Sequence, residues 1–83
     1  MKNTLARIIE FDLHELEELC KGDYFYELGE FDIKSFRKYQ WHLYGKLELA
    51  LELDIITLDQ WTATKRYVRL KCKKLIEIYR NRA

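Results

Sequence analysis

The titratable side chains at helical spacing gather early in the chain, where Glu10, His14, Glu17 and Glu18 stand three or four positions apart and share one helical side. In a pocket, such a set would suit general acid–base work, with the imidazole moving a proton and a carboxylate orienting it. That chemistry needs a perturbed environment, and a chain of 83 residues has no material for a deep cleft around a solvated helix face. No catalytic residue is assigned, and the chain reads as a non-enzyme. His42 neighbours Trp41 and Tyr44 without a carboxylate or cysteine at ligand spacing, and reads as a surface histidine. Cys20 and Cys72, with those two histidines, lack the close paired spacings of a structural zinc site, so no metal is expected. Each cysteine falls at an apolar helical position and reads as a reduced core residue, a disulfide being the minor reading. Ser35 is the only serine, which removes a serine-histidine-acid set, and Gly22, Gly29 and Gly45 form no phosphate-cradling loop. No cofactor is expected.

Charge is the most unusual compositional feature. The formal net charge is only +1, yet residues 1–32 carry three basic against nine acidic side chains, a net of −6. Residues 33–59 balance, and residues 60–83 carry eight basic side chains against Glu77 alone, a net of +7. On a helical wheel Arg66, Arg69, Lys73 and Arg80 fall within about 60° of one another, with Lys71 and Lys74 on the flank. Such a ridge can follow a nucleic-acid backbone by neutralising phosphates. It reads equally as a solvated face, or as the answer to the acidic first third across the bundle. Leu70 projects beside the ridge, and an apolar residue there suits a protein contact better than a phosphate contact.

Three helices must position these groups. The first runs from Asn3 or Thr4 to Lys21 with the seam Leu5, Ile9, Leu13, Leu16 and Cys20, spaced by threes and fours. Asp12 and Glu15 resemble a second capping box, so a kink near Phe11 is compatible with a continuous helix. Asp23 to Phe31 is aromatic-rich and reads as a loop with a short turn, a tiny hairpin at Leu28-Gly29 being the alternative; its aromatics read as a lid on the core or as a binding edge. Asp32 caps the second helix, with the seam Ile33, Phe36, Gln40, Leu43, Leu47, Ala50 and Leu51 and an end near Leu53 or Asp54. Trp41, Gly45 and Leu49 form a second stripe about 120° or more from Leu43, covered either by the first helix or by a partner. Gly45 costs about 1 kcal/mol in a helix interior, which close approach by another backbone would explain. The third helix opens on the capping box Thr57-Leu58-Asp59-Gln60, with Ile56 and Trp61 as a hydrophobic staple and the seam Trp61, Val68, Cys72, Leu75 and Tyr79. The short connection folds the last two helices into an antiparallel hairpin.

The stretch Leu43-Tyr44-Gly45-Lys46-Leu47-Glu48-Leu49-Ala50-Leu51-Glu52-Leu53-Asp54-Ile55-Ile56-Thr57-Leu58-Asp59-Gln60-Trp61 resembles the helix, turn and "I-T-x-[DE]-[EQ]-aromatic" hairpin of small uncharacterised proteins of Gram-positive phages and mobile elements. The resemblance covers under a quarter of the chain and brings no catalytic or binding residues with it. It implies an accessory or regulatory protein of phage type.

The expectation is one all-α domain over residues 1–83, a three-helix bundle of modest stability with a C-terminal antiparallel helical hairpin. No apolar run approaches a membrane span, and Met1 to Glu10 lacks a secretory signal, which implies a cytoplasmic address. The favoured function is a protein-binding module, an inhibitor or accessory factor, using Trp41, Gly45, Leu49 and Leu70 or the charged faces, a homodimer being its simplest form. The −6 segment suggests a nucleic-acid-like face for a basic host protein or nuclease. The alternative is a nucleic-acid-binding regulator using Arg66, Arg69, Lys73 and Arg80; a transcription-factor helix-turn-helix fits badly, because its recognition helix is far shorter than the third helix here.

Overall fold

The computed structural model describes residues 4–81, with side chains from residue 6 onward. Three helices, α1 (Thr4–Lys21), α2 (Ile33–Glu52) and α3 (Leu58–Arg80), enclose one core, and two short strands, β1 (Tyr26–Glu27) and β2 (Glu30–Phe31), lie between α1 and α2. α1 is continuous through Phe11. The expected cap at Asn3 lies outside the described residues, as does the seam side chain of Leu5.

Local chemistry sets the helix ends. The Thr57 hydroxyl accepts from the Gln60 amide at 3.1 Å while the Gln60 side chain accepts from the Thr57 amide at 2.9 Å, completing the capping box that opens α3. The Asp32 carboxylate accepts from the Lys34 and Ser35 amides and, at 2.6 Å, from the Ser35 hydroxyl. The Ser35 hydroxyl, first among these donors, holds the Asp32 carboxyl below the usual carboxylate range. At the end of α1 the left-handed residue is Asp23, at φ 63°, rather than Gly22. Its amide donates to Cys20 at 3.3 Å and that of Tyr24 to Leu19 at 3.0 Å, the two bonds of a Schellman stop. Asp54, at φ 57°, closes α2 in the same way, with bonds from Asp54 to Leu51 and from Ile55 to Ala50.

The seams meet as their spacing demands. Ile9, Leu13, Leu16 and Cys20 of α1 are buried with Phe36, Leu43 and Leu47 of α2 and with Val68, Cys72, Leu75 and Tyr79 of α3. Ala50 is buried as well, while Trp61 and Ile56 lie half-buried against the same cluster. Ile76 also enters the core, although it falls outside the α3 seam read from the wheel. Gln40 is the polar member of the α2 seam, and its burial is tolerated because Arg37 donates to its oxygen at 2.9 Å and its nitrogen donates to the Tyr44 hydroxyl at 2.8 Å. Both cysteines are free and buried. Burial pushes the Cys72 thiol up to about 12.

The aromatic segment is a hairpin, not a loop, with Tyr26 opposite Phe31 and Glu27 opposite Glu30. Two strands of two residues have little stability of their own, and the aromatic cluster supplies it. Phe25 is fully buried and meets Phe36 edge-on at 5.4 Å and Phe31 at 6.3 Å, while Tyr26 donates its hydroxyl to the Tyr79 carbonyl of α3. The aromatics therefore act as the lid of the core. Leu28 and Gly29 at the tip both have positive φ, 54° and 84°, as a type I′ turn requires. Leu28 is 98% exposed.

Candidate functional site

The outer face of α2 carries an apolar stripe that no other element of the chain covers. Phe36, Leu43, Leu47 and Ala50 turn one side of the helix into the core, and the wheel then sends Trp41, Gly45 and Leu49 outward. Trp41 is 68% exposed and Leu49 56%. The expectation that α1 covers this stripe is therefore incorrect. α1 instead approaches the flank of α2, where Lys46 Nζ lies 2.6 Å from Asp12 Oδ2, an ion pair whose carboxylate is mostly buried and whose lysine is half-exposed. Asp12 thus serves as an interhelical partner of Lys46 rather than as a second cap.

No backbone of the same chain approaches Gly45 either: a Cβ added there would meet nothing within 4 Å. Gly45 leaves instead a notch between Trp41 and Leu49. The shallow groove so formed is lined by Lys38, Trp41, His42, Gly45, Lys46 and Leu49. The edge of Trp41 is steadied by Tyr44, with ring centroids 5.8 Å apart at 82°. His42 is an exposed member of this rim. Leu70, 53% exposed on α3, does not line the groove.

The basic ridge is solvated. Arg66, Arg69, Lys73 and Arg80 are all exposed on α3. Arg66 and Arg69 also border a second depression with Tyr44, Trp61, Thr62 and Lys65. Lys65 Nζ lies 4.7 Å from the centre of the Trp61 ring and 5.4 Å from that of Tyr44, so the aromatic faces are already covered by a cation of the same chain. The Trp61 indole nitrogen is buried without a hydrogen-bond partner among the described residues. Pairing of the acidic first helix with this ridge is not what the ion pairs express. Among the described residues, those of α1 run within α1, from Glu18 to His14 and Lys21, and to Lys46 of α2. The contact between α1 and α3 is carried by apolar seams and by Tyr67, whose hydroxyl is pushed up chiefly by its hydrogen bond to Glu10.

The carboxylates around His14 stand on an open helix face. His14 and Glu18 approach only to 4.0 Å, with both side chains more than half exposed. Among the described residues no cluster of histidine, cysteine and carboxylate side chains is arranged to hold a metal ion, and no helix is long and apolar enough to cross a membrane. Fold and surface together define a small three-helix domain with a hairpin lid and one notched, exposed apolar helix face. In comparisons with protein-family models, curated proteins and solved structures, nothing matches the chain.

Proposed function

We propose that this chain is a non-enzymatic protein-binding module of phage type, an inhibitor or accessory factor that occupies a host protein or nuclease in the cytoplasm. The single observation that carries the reading is the α2 face, on which Trp41 and Leu49 stand exposed on either side of the Gly45 notch. Tryptophan is the side chain most enriched among residues that dominate binding energy, and an exposed apolar face rimmed by Lys38, His42 and Lys46 has the anatomy of a contact surface. Leu70 and the charged outer faces extend the surface available to a partner. Two buried free thiols suit a reducing compartment.

The test is capture of a protein from nuclease-treated host extract, with the captured protein identified by mass spectrometry. Native chain and an Arg69→Glu/Lys73→Glu variant should retain it, and a Trp41→Glu/Leu49→Glu variant should lose it. Retention by the latter variant refutes the reading. The second reading is a nucleic-acid-binding regulator, favoured by the exposure of Arg66, Arg69, Lys73 and Arg80 along one side of α3. It requires salt-sensitive retention of DNA or RNA that Arg69→Glu/Lys73→Glu abolishes, and absence of retention at low salt ends it.

A further inference from the structure

The exposed face of α2 is arranged about Gly45 as about a centre of symmetry. Four residues before Gly45 stands Trp41 and four after it Leu49; seven before stands Lys38 and seven after it Glu52. With about 100° per residue, Trp41 and Leu49 lie about 40° to either side of Gly45, and Lys38 and Glu52 about 20° to either side. All five residues are exposed in the folded chain.

We infer that this face docks a second copy of the same chain, its α2 helix antiparallel, across a two-fold axis beside Gly45. The inference rests on the protein-binding reading of the face: a second copy occupies it, and a host protein then meets the dimer through Leu70 and the charged outer faces, which lie off the groove. A two-fold axis makes an interface self-complementary, so a residue at a given distance before the centre meets the residue equally far after it in the other copy. Trp41 then packs beside Leu49 of the other copy, and Lys38 meets Glu52 of the other copy. Both pairs occur twice. Gly45 faces its own image, and because it has no side chain the two backbones approach closely, which gives a reason for a glycine in mid-helix where nothing in its own chain touches it. A parallel arrangement would set Lys38 against Lys38 and Glu52 against Glu52, so charge selects the antiparallel one. Lys46, one residue past the axis and near its own image, is already paired with Asp12 at 2.6 Å. Apolar contact at the centre with opposite charges at the ends is also the anatomy of stable interfaces, whose rims are polar.

Equilibrium sedimentation at physiological salt, up to about 1 mM protein, should show a species of twice the 10.2 kDa chain mass. Lys38→Glu or Glu52→Lys alone should weaken association about tenfold, because each turns two attractions into two repulsions, and Lys38→Glu/Glu52→Lys together should restore it. Rescue by the double reversal is a readout that damage to the fold cannot produce. Gly45→Cys should cross-link to its image on oxidation of the folded protein, since Cys20 and Cys72 are buried. Lys38→Cys should not, because 14 residues of helix rise place it about 21 Å from its image. A strictly monomeric chain, a dimer indifferent to the charge reversals, or cross-linking through Lys38→Cys in preference to Gly45→Cys overturns the inference. The two levels separate cleanly. If the chain is monomeric while Trp41→Glu/Leu49→Glu still loses an identified protein, only the second copy is refuted as the occupant; if it loses nothing, the protein-binding reading falls with it.

Discussion

Replacing Gly45 with alanine tests the central observation most directly. The residue lies in the interior of α2, away from either end, and it is not among the residues of positive φ. An added methyl group meets nothing within 4 Å in the isolated chain. The substitution therefore removes backbone freedom from the unfolded state without a steric cost in the folded one, and glycine gives up about 1 kcal/mol to alanine in such a position. For 83 residues the unfolding entropy is about 0.17 kcal/mol/K, so the gain appears as a rise of about 6 °C in Tm. The assay is thermal unfolding followed by far-ultraviolet circular dichroism, at micromolar protein where copies of the chain are apart. A fall in Tm in dilute solution would refute the reasoning, because it would mean that a neighbouring element of the same chain occupies the notch. At concentrations where copies associate, the same methyl holds the facing helices apart and weakens the dimer, so alanine should stabilise the chain and loosen its assembly together.

Other outcomes follow from the lid and the core. Leu28→Asn should raise stability by about 1 kcal/mol, measured as a shift of the urea midpoint, because asparagine tolerates a left-handed backbone that a leucine adopts at φ 54° only with strain. Phe25→Ala should cost about 3 to 5 kcal/mol, a large share of the about 4 to 12 kcal/mol available to a domain of this size, and should lower Tm steeply. Cys72 is held protonated by burial, with its thiol raised from 9.0 to about 12. The folded chain then binds that proton more tightly than the unfolded one, so this contribution to stability is intact below about pH 9 and is lost as pH rises towards 12. Both thiols should be inert to a thiol reagent at pH 8 in the folded chain and react fully in denaturant; fast reaction of the folded chain would contradict the packing.

What was legible from residues alone was whatever depends on neighbours a few positions away. The capping box at Thr57 and Gln60, the cap at Asp32 and the seams of all three helices are short-range chemistry, and they stand where spacing puts them. The hairpin at Leu28-Gly29 was legible only as the alternative to a loop, because two short strands hold only through Phe25 beneath Phe31 and Phe36 and through the hydroxyl of Tyr26 on Tyr79, 53 residues further on. The pair between Asp12 and Lys46 spans 34 residues and carries no local signal. The second stripe on α2 was visible on the wheel, but whether α1 covers it depends on where the helices cross, which periodicity does not encode. Gly45 shows the same limit: its cost was evident, and its reason lies outside its own chain's packing. Ile76 entered the core because α3 is buried along a band wider than its strict seam.

The segregation of charge between the first and last helices bears on how this molecule behaves in bulk. A chain of net charge +1 has almost no overall repulsion to keep copies apart, yet it carries −6 on one stretch and +7 on another. Among the described residues few ion pairs cancel these charges internally, which leaves stretches of opposite sign able to meet those of other copies. In dilute buffer such stretches attract one another in many non-specific orientations, and added salt screens that attraction over about 8 Å at physiological strength. Its solubility should therefore rise on moving from low to moderate ionic strength, the opposite of what a uniformly charged domain does, and the crowded salt of a cell is the medium in which its specific contacts are least confused with indiscriminate ones.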